Sequence, residues 1–418
     1  MLKHQTARLY IAVCLLVLCL AVTAIGQKKI ADLKPTVILI SLDGFRYDYL
    51  DKYRPPTLNK LAKEGVRAKW MIPSFPTKTF PNHYTMVTGL YPEHHGIVEN
   101  NVYDFGEVFM ISDRKRVQES RWWWGEPIWV TAQKQGQIAA SYFYVGSEAP
   151  VMDMHPQYWR AYNGKVPPEM RVDKVLEWFD LPVNKRPTVI TMYFSDTDDV
   201  GHEFSPDSEE VKYAVLNDDR YIEQLMAGLK RRGIDKKVNV IIVSDHGMAT
   251  VDIRKATFLD DYFDVENDAD KVLYTHEINQ IFPKAEKLDY IYSRLQKMPH
   301  ATCWKKADIP ERLHYNQGTR IAPIVCSTEI GNIVTTHKRY DDYIKDLDDL
   351  SRPRGGHGLD NKYPEMRATF IAYGPAFRKD YVAEPFENIQ VYNLMCKILG
   401  LKPAANDGDL NVVKGMLR

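Results

Sequence analysis

Three of the four most apolar short runs in this chain end on an aspartate, and that regularity constrains its fold and its chemistry more than any other feature. Residues 36–41 (TVILIS) lead to Asp43-Gly44, and residues 187–195 (PTVITMYFS) run into Asp196-Thr197-Asp198. Residues 238–244 (VNVIIVS) end at Asp245-His246-Gly247, and residues 368–373 (ATFIAY) stop at Gly374-Pro375. A run that is apolar at every position must be covered on both faces, which is the pattern of a buried parallel strand. Between these runs, residues 57–64 and 388–399 read as helices, and residues 208–232 read as a long one closed by Gly233. Alternation of this kind predicts an α/β fold: a three-layer sandwich with a central, mainly parallel sheet and helices on both sides. Between about residues 250 and 345 the texture changes to short strand-like pieces around a helix at 285–297, which predicts a small α+β insertion.

The N-terminus has a different character. Lys3, His4 and Arg8 precede an apolar run over residues 9–25, followed by small residues at the −3 and −1 positions of a cut after Gly26. That is the layout of a secretory signal, predicting residues 1–26 as a signal peptide and 27–418 as a single catalytic domain. The alternative is an uncleaved N-terminal anchor, since the run falls only slightly short of the roughly 20 residues a span needs. Cleavage removes Cys14 and Cys19 and leaves Cys303, Cys326 and Cys396, enough for one disulfide and one free thiol. No Asn-x-Ser/Thr acceptor occurs, which fits a periplasmic or secreted protein. With 55 basic and 55 acidic residues, no global field draws the chain to nucleic acid or an anionic membrane, so an anionic substrate must be held by local charge.

That local charge has a place to be. In open α/β sheets ligands bind at the carboxyl ends of the strands, where Asp43, Asp198, Asp245 and His246 are expected. His202 follows Asp198 by four residues, one helical turn, and His357 sits in Gly355-Gly356-His357-Gly358, whose glycines allow close backbone approach. Three Asp and three His suffice for two metal ions, and mixed carboxylate and imidazole donors suit zinc, with manganese possible. A nucleophile is offered by Thr79, in Pro76-Thr77-Lys78-Thr79-Phe80-Pro81-Asn82-His83. A threonine here reads as a helix N-cap with Pro81 in the first turn, and the positive end of the helix dipole also favours its ionised hydroxyl.

Taken in order, several strings resemble the nucleotide pyrophosphatase/phosphodiesterase family of the alkaline phosphatase superfamily. They are Asp43-Gly44-Phe45-Arg46, Thr77 to Tyr84, Val87-Thr88-Gly89-Leu90-Tyr91-Pro92, His95-Gly96-Ile97, Asp198 to Gly201-His202, Ser244-Asp245-His246-Gly247-Met248 and Gly356-His357-Gly358. The resemblance covers residues 36 to 405, and implies an alkaline phosphatase-like fold in a minimal catalytic form. It implies one zinc on Asp198, His202 and His357, and a second on Asp43, Thr79, Asp245 and His246. Asn100 matches the residue that helps Thr79 hold the phosphoryl oxygen. Phe80 and Tyr162 match aromatics that sandwich a nucleotide base, and Tyr193 matches a tyrosine lining the same slot. Lys78 is expected near the phosphates, or as an ordinary solvated lysine. Sulfatases of the superfamily carry Cys or Ser in a C/S-x-P-x-R motif where this chain has Thr79, and no counterpart of the alkaline phosphatase arginine is evident.

The activity so implied is hydrolysis of nucleotide phosphodiester and pyrophosphate bonds through a nucleotidyl-threonine, releasing a nucleoside 5′-monophosphate. Two rivals are a choline-type lipid phosphodiesterase and a non-catalytic binding protein on the same fold. The paired Phe80 and Tyr162 favour a base over choline, and retention of every ligand together with the nucleophile favours catalysis.

Overall fold

The computed structural model describes residues 29–418, so the expected signal segment lies outside the described residues. The central sheet has seven strands: β1 (Val37–Leu42), β2 (Val66–Ala68), β3 (Ala139–Tyr142), β4 (Val189–Phe194), β5 (Asn239–Val243), β6 (Phe370–Tyr373) and β7 (Tyr381–Ala383). Their spatial order is β7-β2-β6-β5-β1-β4-β3. β1 is parallel to both β4 and β5, and β3 is parallel to β4. The fourth apolar run departs from the expected direction: β6 is antiparallel to β5 and to β2. Its sequence could not reveal this, because a strand buried on both faces carries the same apolar pattern in either direction.

Alternate residues of β1 feed different cores. Val37 and Leu39 join one cluster, while Ile38, Ile40 and Leu42 join the other. The helices that matter for this sheet and the site are, in chain order, α1 (Pro56–Glu64), α2 (Thr79–Thr88), α3 (Ile128–Lys134), α4 (Pro168–Phe179), α5 (Asp196–Phe204), α6 (Glu209–Arg231) and α7 (Gln390–Leu399). Leu58, Val175 and Leu225 place α1, α4 and α6 on the face of Ile38, and Val87, Trp129 and Leu394 place α2, α3 and α7 on the face of Val37. The three-layer arrangement is therefore the expected one. The long helix begins at its predicted cap, where the Ser208 hydroxyl accepts from the Val211 amide, and Gly233 beyond its end has φ of 69°.

A separate antiparallel sheet of four strands, 269–274, 278–283, 324–328 and 301–305 in spatial order, packs with the helix Leu288–Leu295 around Leu259, Ile281, Ile291 and Ile324. Cys303 and Cys326 stand directly opposite each other on two of these strands and form a disulfide, while Cys396 is free and buried in α7. Among the described residues no helix is long and apolar enough to cross a membrane.

Candidate active site

Because β1 lies between β4 and β5 and runs parallel to both, the three aspartate-bearing ends emerge side by side. Asp43 follows β1 directly. Asp198 is not at the strand end itself: it lies in the first turn of α5, which starts two residues after β4. Asp245 and His246 follow β5, and a short strand at 354–356, antiparallel to residues 249–251, returns His357 to the same edge. Asp198, His202 and His357 form one group able to hold a metal ion, and Asp43, Asp245 and His246 form another. The stacked rings of His246 and His357, with centroids 3.6 Å apart, make the groups neighbours.

The donor chemistry tests the fit of a cation. His246 Nδ1 lies 2.8 Å from the Gly247 carbonyl, His202 Nδ1 2.9 Å from that of Gly355, and His357 Nδ1 2.9 Å from that of Thr77. A carbonyl only accepts, so each Nδ1 carries a hydrogen and each ring turns its Nε2 toward the site, where an unprotonated Nε2 is a metal donor. Nε2 of His246 then sits 3.3 Å from Asp43 Oδ1, and Nε2 of His202 sits 3.5 Å from Asp198 Oδ2 and 3.2 Å from Nε2 of His357. Asp43 Oδ1, Asp198 Oδ1 and Asp245 Oδ2 are buried without a hydrogen-bond partner. Lone pairs and carboxylates facing one another at these distances are what divalent cations satisfy, so the residues fit them.

Titration follows the same crowding. Burial, then the charges of Asp245 and Asp198, hold the Asp43 carboxyl well above its usual range. Burial raises Asp245 too, but the imidazoles of His246 and His83 outweigh it and hold it low. Burial, with His246 beside it, pushes His357 well below the usual imidazole value, which keeps it neutral.

Thr79 opens α2. Lys78 takes the cap position, so Thr79 is the first helical residue rather than the cap the sequence suggested. Thr79 is only partly buried, and its Oγ lies 3.3 Å from His246 Nε2. The next amide, that of Phe80, donates to Asn100 Oδ1 at 2.9 Å, so Asn100 supplies the cap that Lys78 lacks and is held beside Thr79. His83, one turn along α2, was singled out by sequence only as part of a motif. It is fully buried, with Nδ1 2.8 Å from the Thr79 carbonyl and Nε2 2.8 Å from Ser41 Oγ. The four-residue spacing from Thr79 was the available signal.

A cavity of about 240 Å³ opens from Asp43 and Thr79, with Phe80, Tyr162 and Tyr193 in its walls. Tyr193 also donates to Asp43 Oδ2 at 2.6 Å. Phe143, Arg114 and Glu148 also line it; Arg114 pairs with Glu148 and lies over the Tyr162 ring. No local sequence pattern marks these three. Lys78 is not in this wall: its Nζ is 2.7 Å from Glu277 Oε2, and both side chains are buried. That burial departs from the solvated lysine that was one of the two sequence-based expectations.

Residues 37–360 match the family described as Type I phosphodiesterase / nucleotide pyrophosphatase. The venom phosphodiesterase of Macrovipera lebetinus is 39% identical over 396 residues, 91% of this chain and 45% of that protein. Ectonucleotide pyrophosphatase/phosphodiesterase family member 3 of Rattus norvegicus is 38% identical over 398 residues, 92% of this chain and 44% of that protein. The chain thus spans less than half the length of these relatives. The structure of murine ectonucleotide pyrophosphatase/phosphodiesterase 5 superposes with a TM-score of 0.84 at 34% identity, covering 92% of this chain and 100% of that one. A second structure of that protein is of an inactive threonine-to-alanine variant in complex with AMP. On this match of profile, sequence and structure, the chain belongs to the Type I phosphodiesterase / nucleotide pyrophosphatase family.

Proposed function

We propose that this protein hydrolyses nucleotide phosphodiester and pyrophosphate bonds, releasing nucleoside 5′-monophosphates through a covalent intermediate on Thr79. The observation that carries the reading is Thr79 Oγ standing 3.3 Å from Nε2 of His246, a member of one of two neighbouring carboxylate–imidazole groups, in the lining of an aromatic-walled cavity. Asp198, His202 and His357 would hold one ion, and Asp43, Thr79, Asp245 and His246 the other; imidazole nitrogens among carboxylates favour zinc. When bound, two such ions supply charge neutralisation for the transferring phosphoryl group and lower the pKa of a hydroxyl beside them.

The chain's own residues account for the rest. Thr79 Oγ forms a bond to phosphorus while the bond to the leaving oxygen breaks, and water then displaces Thr79, which regains its proton. The N-terminus of α2 places its positive dipole end at that oxygen, and Asn100, fixed on the Phe80 amide, can direct its amide N–H to a non-bridging oxygen. Phe80 and Tyr162 offer faces for a base, and Tyr193 holds Asp43 in orientation. The AMP bound to the murine relative supports a nucleotide as the small-molecule substrate. We further propose that residues 27–418 act as one catalytic domain with an α+β insertion, and that the chain is exported, as its venom relatives suggest.

The test is bond choice. p-Nitrophenyl thymidine 5′-monophosphate should be hydrolysed far faster than p-nitrophenyl phosphate. The pocket's own cation, Arg114, is matched by Glu148, leaving no surplus charge for a monoester dianion. Equal or faster turnover of the monoester would overturn the reading.

A further inference from the structure

The tight turn formed by Thr275, His276 and Glu277 joins two strands of the antiparallel insertion sheet, and it reaches three parts of the site at once. The first contact is the ion pair of Glu277 with Lys78, whose Nζ also donates to the Thr275 carbonyl at 3.2 Å. Lys78 immediately precedes Thr79 at the N-cap position of α2, and its carbonyl accepts from the Asn82 amide at 3.2 Å and from the Asn82 side chain at 2.9 Å. The second contact is Thr275 Oγ1, which lies 3.1 Å from Glu99 Oε1 and shares its one hydrogen between that carboxylate and the Ile278 carbonyl at 2.6 Å, while Glu99 Oε2 accepts from the Asn101 amide at 2.8 Å. Asn100 is the residue between those two. The third contact is the glycine loop of His357. A Cβ at Gly356 would run into the Glu277 carboxylate, and one at Gly358, where φ is 114°, would run into the Lys78 side chain. These two glycines flank His357 because the ion pair fills the space their side chains would need.

Each residue gripped by the turn is thus a chain neighbour of a site residue: Lys78 of Thr79, Glu99 of Asn100, Gly356 and Gly358 of His357. The pair is 7% and 8% exposed at its side chains, and a buried ion pair of this kind adds little net stability while fixing geometry strongly. From this we infer that the 275–277 turn is a positioning device for the reaction: Glu277, through Lys78, and Thr275, through Glu99, align Thr79, Asn100 and His357. Lys78 is then a positioning residue and not a ligand of the substrate's phosphates. The inference rests on the roles proposed above for Thr79, Asn100 and His357.

Glu277→Gln, Lys78→Met, the double variant Lys78→Met/Glu277→Met and Thr275→Val test it, assayed beside the wild type on p-nitrophenyl thymidine 5′-monophosphate and on ATP. Loosening the alignment should lower kcat about 10- to 100-fold in Glu277→Gln and Lys78→Met, by the same factor on both substrates. KM should stay within about twofold, because base binding is untouched. The double apolar variant should melt no lower than Glu277→Gln, yet its kcat should fall no further than that of the worse single variant. Thr275→Val, which keeps the ion pair, should show the same split at smaller amplitude. If Glu277→Gln fails to fold, the double variant and Thr275→Val carry the test. Unchanged or raised kcat in folded Glu277→Gln, or in those two variants if it does not fold, would overturn the inference. So would a rise in KM for ATP alone in Lys78→Met, the signature of a phosphate ligand. A wild type inactive on both substrates would remove the proposed function, and this inference with it.

Discussion

Replacing Tyr162 by alanine isolates what the cavity wall contributes to substrate choice. Tyr162 lies in a segment without regular secondary structure, its ring edge-on to Phe143 at 5.2 Å and to Tyr193 at 6.0 Å, under the Arg114 guanidinium at 5.4 Å. Removing the ring sacrifices a cation–π contact worth about 0.5–1 kcal/mol and two edge-on aromatic contacts worth about 0.5–1.5 kcal/mol each, together below the roughly 5–15 kcal/mol of a typical domain, so the fold should survive. A base stacked on an aromatic face gains about 1–3 kcal/mol. At about 1.36 kcal/mol per tenfold, its loss predicts a fall in kcat/KM of about 5- to 150-fold on p-nitrophenyl thymidine 5′-monophosphate. The control is methyl p-nitrophenyl phosphate, a diester without a nucleoside, whose hydrolysis has no stacking to lose and should be unchanged. Tyr162→Phe should retain most activity on both. Steady-state kinetics on the two diesters, with thermal melting to verify folding, decide the matter. An equal loss on both substrates would show that Tyr162 supports the site's structure and does not read a base.

Three further outcomes are expected. Thr79→Ala should leave less than a few per cent of activity, in line with other nucleophile deletions, with melting temperature and metal content largely kept; appreciable residual turnover would remove Thr79 from the nucleophile's role. Exhaustive chelation should abolish activity and lower the melting temperature, and zinc should restore both better than magnesium, because imidazole nitrogens suit zinc and magnesium prefers an oxygen octahedron; full activity in metal-free protein would contradict the two-ion site. Burial works to raise the pKa of Asp360, but hydrogen bonds from Arg312, at 2.6 and 2.9 Å, outweigh it and hold it below its ordinary value. Its contribution is therefore present above the unfolded carboxyl value and lost as pH falls through the folded one, so Arg312→Ala should flatten the acid limb of the stability–pH curve; an unchanged limb in urea melts would refute this.

The sequence by itself determined the elements and the reactive residues they carry. The apolar runs became β1, β4, β5 and β6, Ser208 and Gly233 bounded the long helix as read, and the ordered motifs identified Thr79 and six Asp and His residues that the structure gathers at one sheet edge. Those features are legible because they are local: a strand's burial is written in its own residues, a helix end in its cap, and a motif in consecutive positions. What the tertiary structure alone decided is long-range. That β1 sits between β4 and β5, which brings Asp43, Asp198 and Asp245 together, depends on strand order, and the antiparallel course of β6 leaves no mark on its composition. Arg114 and Glu148 enter the cavity from segments with no recognisable pattern. The environment of Lys78 was hidden for the same reason. Its partner Glu277 lies 199 residues away, and no periodicity or spacing rule connects two such positions before the sheet and the insertion pack against each other.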